Sequence, residues 1–199
     1  MELTTTSYAL KEWAIAVNAL EKGKTIMFVR KGGIHEHSGH FKFPPEQILL
    51  YPTYEHQQAC MLKAEYTNLV SPVTPGWHPE KVTISSWAKI TDILPIIDES
   101  IVHALLPFHI WNERFISDVY DGLRLRLKFR ITQPIYILLL RVYKLPQTAE
   151  IFYRHEYDAC KSWIDLGQSI PLDDAEPVLS DFDYTQLTAE IYRIVVEEW

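Results

Sequence analysis

The chain has 199 residues, 47% of them hydrophobic, and a formal net charge of -7. That length and composition suit one globular domain with an appended element and exclude wholesale disorder. The charge is uneven: residues 171 to 199 hold eight carboxylates and one arginine, while residues 1 to 170 balance 18 basic against 18 acidic side chains, so the acidic total does not exclude an anionic ligand on the body.

In chain order, the opening "MELTTTSYALKEW" lacks a basic start followed by an apolar core, so no signal peptide is expected. Leu10, Trp13, Ala14, Val17 and Leu20 fall at helical spacing and predict a helix over residues 8 to 22, ended by Gly23. "TIMFVR" reads as a strand broken by Gly32 and Gly33, and "QILLYPTY" as a second strand. Between them, His35, Glu36, His37 and His40 form a dense polar connection. A metal needs fixed ligand geometry, and this is no H-E-x-x-H, so the favoured reading is a hairpin turn with no metal. Residues 70 to 80 carry three prolines and a glycine and predict a loop. "KVTISSWAKITDILPI" is β-prone, and "DESIVHALLPFHIW" reads as helical turns broken at Pro107.

Next comes the strongest local pattern. Arg124, Arg126, Lys128 and Arg130 alternate with Leu125, Leu127 and Phe129. As a strand this gives one basic face with charges about 6.6 Å apart, a spacing that a nucleic-acid backbone can track. The plainer reading is a solvated sheet face guarded against edge pairing. Arg30, Lys31 and Arg141 end strand-like runs and join the same expected surface. Among the aromatics, which include Trp77, Trp87, Trp111, Trp163 and eleven tyrosines, most are expected in the core, with one or two left to stack a base. "PIYILLLRVYKL" predicts a buried strand and "SWIDL" a short one. The tail predicts a helix N-capped by Asp183, with an apolar stripe of Leu187, Ile191, Ile194 and Val195. Residues 1-170 are thus expected to form one α+β domain, built on a small mixed sheet or barrel with flanking helices. Residues 171-199 are expected to form an acidic extension whose helix docks on that domain and competes with phosphates for its arginines.

Catalytic signatures fit poorly. "NALEKGKT" has Asn18 where a phosphate loop needs its first glycine, and helix and strand come in the wrong order. No Asp or Glu is followed two positions later by Lys, as a D/E-x-K nuclease strand requires, and no G-x-S-x-G elbow occurs. Cys60 with His56 four residues before it would share a helix face, but a small buried residue is the preferred reading. The two cysteines make no disulfide framework, and no apolar run reaches the roughly 20 residues of a membrane helix. A cytoplasmic chain without cofactor or membrane partner is expected.

"ALKEWAIAVNALEKGKTIMFVRKGG" resembles the opening of PUA-like domains, the ASCH branch especially, through Gly23, Lys24, Thr25 and Arg30. The resemblance implies a small β-barrel that binds RNA or a modified base in a cleft near that turn, with Lys24, Thr25, Arg30 and Lys31 along it. Some relatives are small amidohydrolases or ribonucleases, and the amidohydrolase pattern has Lys-Thr-Ile-Thr here. This chain has Met27 in place of the nucleophilic second threonine. Over most of its length, in "RKGGIHE", "YPTYEHQ", "PFHIW" and "LLLRVYKL", the chain also resembles an uncharacterised bacterial domain-of-unknown-function family of the 1802 type. Three functions stay open. The first is an RNA-binding module of PUA-like type recognising a modified base or an RNA end. The second is a small nucleotide- or RNA-directed hydrolase using Lys24, Glu12 or Glu36, and a histidine. The third is a protein-interaction domain using the acidic helix.

Overall fold

A computed structural model describes residues 4–30, 46–126, 134–157 and 162–197. The protein is α+β, and its described residues form one mixed sheet of seven strands with five α-helices. Strand β1 (Thr5–Trp13) runs straight into helix α1 (Ala14–Glu21), and β2 (Met27–Arg30) follows a tight turn. Then come β3 (Gln47–Thr53), the short α2 (Ala64–Thr67), the 16-residue β4 (Lys81–Ile96), α3 (Glu99–Ala104) and α4 (Glu113–Arg126). The chain closes with β5 (Ile135–Phe152), β6 (Trp163–Pro171), the two-residue β7 (Glu176–Pro177) and α5 (Asp181–Glu197). The strand order is β2-β5-β4-β3-β1-β6, with β7 added to β5. Among the described strands, only the β1–β3 pair is parallel. No helix among the described residues is long and apolar enough to cross a membrane.

Successive side chains on a strand point to opposite faces, and here the two faces build two cores. Ile48 and Leu50 join one cluster with Ile15, Leu20, Ile116, Tyr120 and Ile191 from the helices. Their neighbours Leu49 and Tyr51 join the other, with Trp87, Ile151, Tyr157 and Leu166. Helices therefore cover one face, and the sheet curls around the second. Two register shifts in the β4–β5 ladder, between Ile84 and Ser86 and between Ile90 and Asp92, supply the bends. At the first, Ser85 and Ser86 both donate to Oε1 of Glu21, which ties the bend to the end of α1.

The curl brings the two ends of the sheet together without pairing them. Arg30, last in β2, donates from Nη2 to the Lys11 carbonyl on β1 (3.1 Å) and from Nη1 to Ser162 Oγ before β6 (2.9 Å). The sheet is thus not closed into a barrel, and a side chain spans its seam.

Three sequence expectations are corrected. Residues 8 to 13, expected as the first half of a helix, belong to strand β1. β1 lies between β3 and β6 with Ala9 and Leu10 fully buried, and its sheet contacts override the helical spacing. The run beginning at Arg124 is not a strand where it is described: Arg124 and Arg126 end α4. Asn112 Oδ1 accepts from the Phe115 amide and starts that helix, and leucine and arginine, both good helix formers, let it propagate. The expected single basic face needs an extended backbone, and the backbone at Arg124 and Arg126 is helical. Finally, α5 starts two residues before the expected cap. Ser180 Oγ accepts from the Asp183 amide (3.1 Å) and donates to its carboxylate (2.6 Å), a reciprocal cap.

Candidate functional site

The concave side of the sheet ends in a pocket of about 250 Å³ at the seam. Its floor is set where β1 passes into α1. Glu12 Oε2 pairs with Arg30 Nη2 at 3.0 Å, both side chains being only 12% and 14% exposed, and Glu12 Oε1 accepts from the Trp13 amide. Thr53 Oγ1 donates to the Glu12 carbonyl, and Lys11 Nζ donates to the Tyr157 carbonyl. Arg30 Nε is buried, with no hydrogen-bond partner among the described residues.

The walls are aromatic. Tyr51 and Tyr157 meet edge to face with ring centres 5.8 Å apart, and the Tyr157 hydroxyl donates to the Leu166 carbonyl. Burial pushes the Tyr157 phenol above its ordinary value, so it stays a neutral donor. His78 stacks on Tyr153 with ring planes 14° apart. At the rim, Tyr54 and Trp77 meet edge to face at 6.0 Å. Glu55 holds the rim loops together: its Oε1 accepts from the Gly76 amide at 2.7 Å and lies 3.6 Å from His56. Gly76 has φ +79 and His56 φ +65, a conformation that glycine adopts freely and histidine does not. Lys11 and Arg30 face Glu12 and Glu55, so with histidines neutral the lining is balanced in charge. Such a site accepts an uncharged ring more readily than an unaccompanied phosphate.

Of the residues singled out by sequence, Glu12, Arg30, His56 and Trp77 line this pocket. Lys24 is exposed before the start of β2, at the strand's other end. Thr25 is buried, and its hydroxyl donates to the Phe108 carbonyl at 2.8 Å. Arg124 and Arg126 sit on α4, while Lys31, Lys128, Arg130 and the stretch His35, Glu36, His37 and His40 lie outside the described residues. Arg141 is buried and bonded to the Ser180 carbonyl and to Asp181, away from the seam. Cys60 is exposed, and His56 lies outside any helix, so the two share no helix face. Sequence reasoning missed Tyr51, Tyr54, His78 and Tyr153. The legible signal was "TPGWHP": a tryptophan among turn formers has no core of its own to enter.

Residues 9–190 match the family described as Domain of unknown function (DUF1802). The chain belongs to this family. Members of the curated set of proteins give no match. Among solved structures, this DUF1802 chain is similar to the ASCH protein of Zymomonas mobilis, at 14% identity and a TM-score of 0.43, over 92% of this chain and 93% of that one. Two single-residue variants of the same protein align at 13% and 12% identity, with TM-scores of 0.44 and 0.42, over 92% of this chain and 94% and 96% of theirs.

Proposed function

We propose that this protein is an RNA-binding module whose seam pocket takes one unpaired base. The observation that carries the reading is the combination of aromatic walls with a charge-balanced floor at Glu12 and Arg30. Stacking holds any base by its ring faces, and the fixed carboxylate and guanidinium present acceptors and donors to its edge. The pocket's 250 Å³ is below the roughly 300–1,000 Å³ of sites for drug-sized ligands, which suits one heterocycle. On this reading the phosphates stay outside, and Lys24, Lys31, Arg124, Arg126, Lys128 and Arg130 are the candidates to meet them.

Fluorescence anisotropy with a labelled random-sequence RNA octamer tests the reading. Tyr153→Ala removes a wall and the ring on which His78 stacks, and should weaken binding about tenfold. Octamer binding that is absent in the wild type, or unchanged in folded Tyr153→Ala, overturns it. Arg124→Ala with Arg126→Ala should flatten the salt dependence by about one unit of slope for each phosphate no longer neutralised, and leave the pocket's contribution intact.

A further inference from the structure

We propose that the rim of the pocket is a second stacking station, formed by Trp77 and Tyr54, that takes the base adjacent to the one in the pocket. This rests on the base-binding reading and deepens it: the ligand is a single strand of at least two nucleotides, not a free nucleoside or a duplex.

Three observations carry it. First, Trp77 is 44% exposed and Tyr54 38% exposed, whereas Trp87 and Trp111 are buried in the two cores. Large aromatic surface left in water at a pocket mouth marks a contact site more often than a packing accident. Second, the loop that carries Trp77 is braced before any ligand arrives. The Trp77 backbone amide donates to the Thr74 carbonyl at 3.0 Å, and the preceding Gly76 amide donates to Glu55. Pro72, Pro75 and Pro79 restrict the rest of the loop. A loop braced in advance loses little backbone freedom on binding, which is how a stacking platform gains affinity. Third, Tyr54 and Trp77 touch edge to face, with planes 82° apart, so the contact between them leaves ring faces for a planar ligand. Both residues also line the pocket itself, so the occupants of pocket and rim are neighbours along one strand. Duplex bases are stacked on each other and cannot reach either surface.

Aromatic rims also bind extended proline-rich peptides. The bipartite arrangement favours the strand: the floor offers an ion pair for the edge of a base, which a proline ring does not use.

The test uses the full chain and the same RNA octamer, with a decaproline peptide as a second probe. Trp77→Ala should weaken octamer binding by about tenfold or more, within the roughly 5- to 150-fold value of one stacked base. Trp77→Phe keeps a ring and should restore most of the affinity, which a merely structural role for the indole does not predict. Circular dichroism confirms the fold of each variant. If Tyr153→Ala weakens octamer binding and Trp77→Ala does not, the rim proposal is wrong while the pocket reading stands. If the wild type does not bind the octamer, both fall. Decaproline binding that depends on Trp77 and is not displaced by the octamer would assign the rim to peptides and overturn the proposal.

Discussion

His109 is a histidine that the protein keeps from titrating in its ordinary range. It is buried beside the helix-side core, and burial, reinforced by the nearby Lys63 ammonium, pushes its pKa down to about 4. In the unfolded chain it titrates near 6.5. Between those values the unfolded state binds the extra proton, so the contribution is fully present above about pH 6.5 and is lost as pH falls toward 4. The full loss is on the order of 3 kcal/mol. Urea unfolding at pH 7 and pH 4.5 should therefore show a smaller stability drop for His109→Gln than for wild type. Gly23 makes a different demand. Its φ of +64 turns α1 into β2, and an added Cβ would stand 2.7 Å from Cδ2 of Leu179. That methyl ends a side chain that can swing aside, so the backbone conformation decides the cost. Gly23→Ala should lose about 1–2 kcal/mol in denaturant melts, and Leu179→Ala should not restore it.

At the scale of elements, Arg141 ties α5 to the sheet. It donates to the Ser180 carbonyl at 3.1 Å and to Asp181 at 2.7 Å, and its guanidinium lies 4.8 Å from the Tyr184 ring centre. Arg141 is buried while the Asp181 side chain is fully exposed, so the two partners should differ in effect. Arg141→Met should lose about 1–3 kcal/mol by removing a buried charged donor from the Ser180 carbonyl, which then keeps only its bond from the Tyr184 amide, and Asp181→Asn about 1 kcal/mol or less. Elements were legible in the sequence where local pattern and tertiary contact agree. β4 matches "KVTISSWAKITDILPI" residue for residue, and β5 contains the expected apolar run. β1 was hidden because Leu10, Trp13 and Val17 keep helical spacing across a strand-to-helix junction that only the neighbours β3 and β6 decide. α4 was hidden because its last turn carries the first half of an alternating run. The pocket was least legible, since its walls come from β3, the 74–79 loop and the segment after β5, and no local motif joins them.

At the scale of the molecule, the acidic segment is part of the packing. Ile191 and Val195 lie in the helix-side core, and β7 extends β5. Removing residues 172–197 should therefore abolish cooperative unfolding, seen as a broad thermal transition by circular dichroism. The segment also reaches the molecule at the Lys24 end of β2, where Leu179 meets Gly23, whereas the pocket opens at the Arg30 end. Neutralising Asp173, Asp174, Asp181 and Asp183 to Asn should accordingly leave octamer affinity within about twofold at low salt; a larger gain would place the acidic face within reach of the bound strand. The position of β1 in the sheet also sets a timetable for synthesis. Tyr8 pairs with Asp165 and Ala9 with Ile164, so this strand leaves the ribosome long before its β6 neighbour exists. At about 5–20 residues per second, the roughly 150 residues between them take on the order of ten seconds to make. Through that interval the nascent chain carries Ala9 and Leu10 on a strand with an open edge, the kind of segment that holdase chaperones shield during translation.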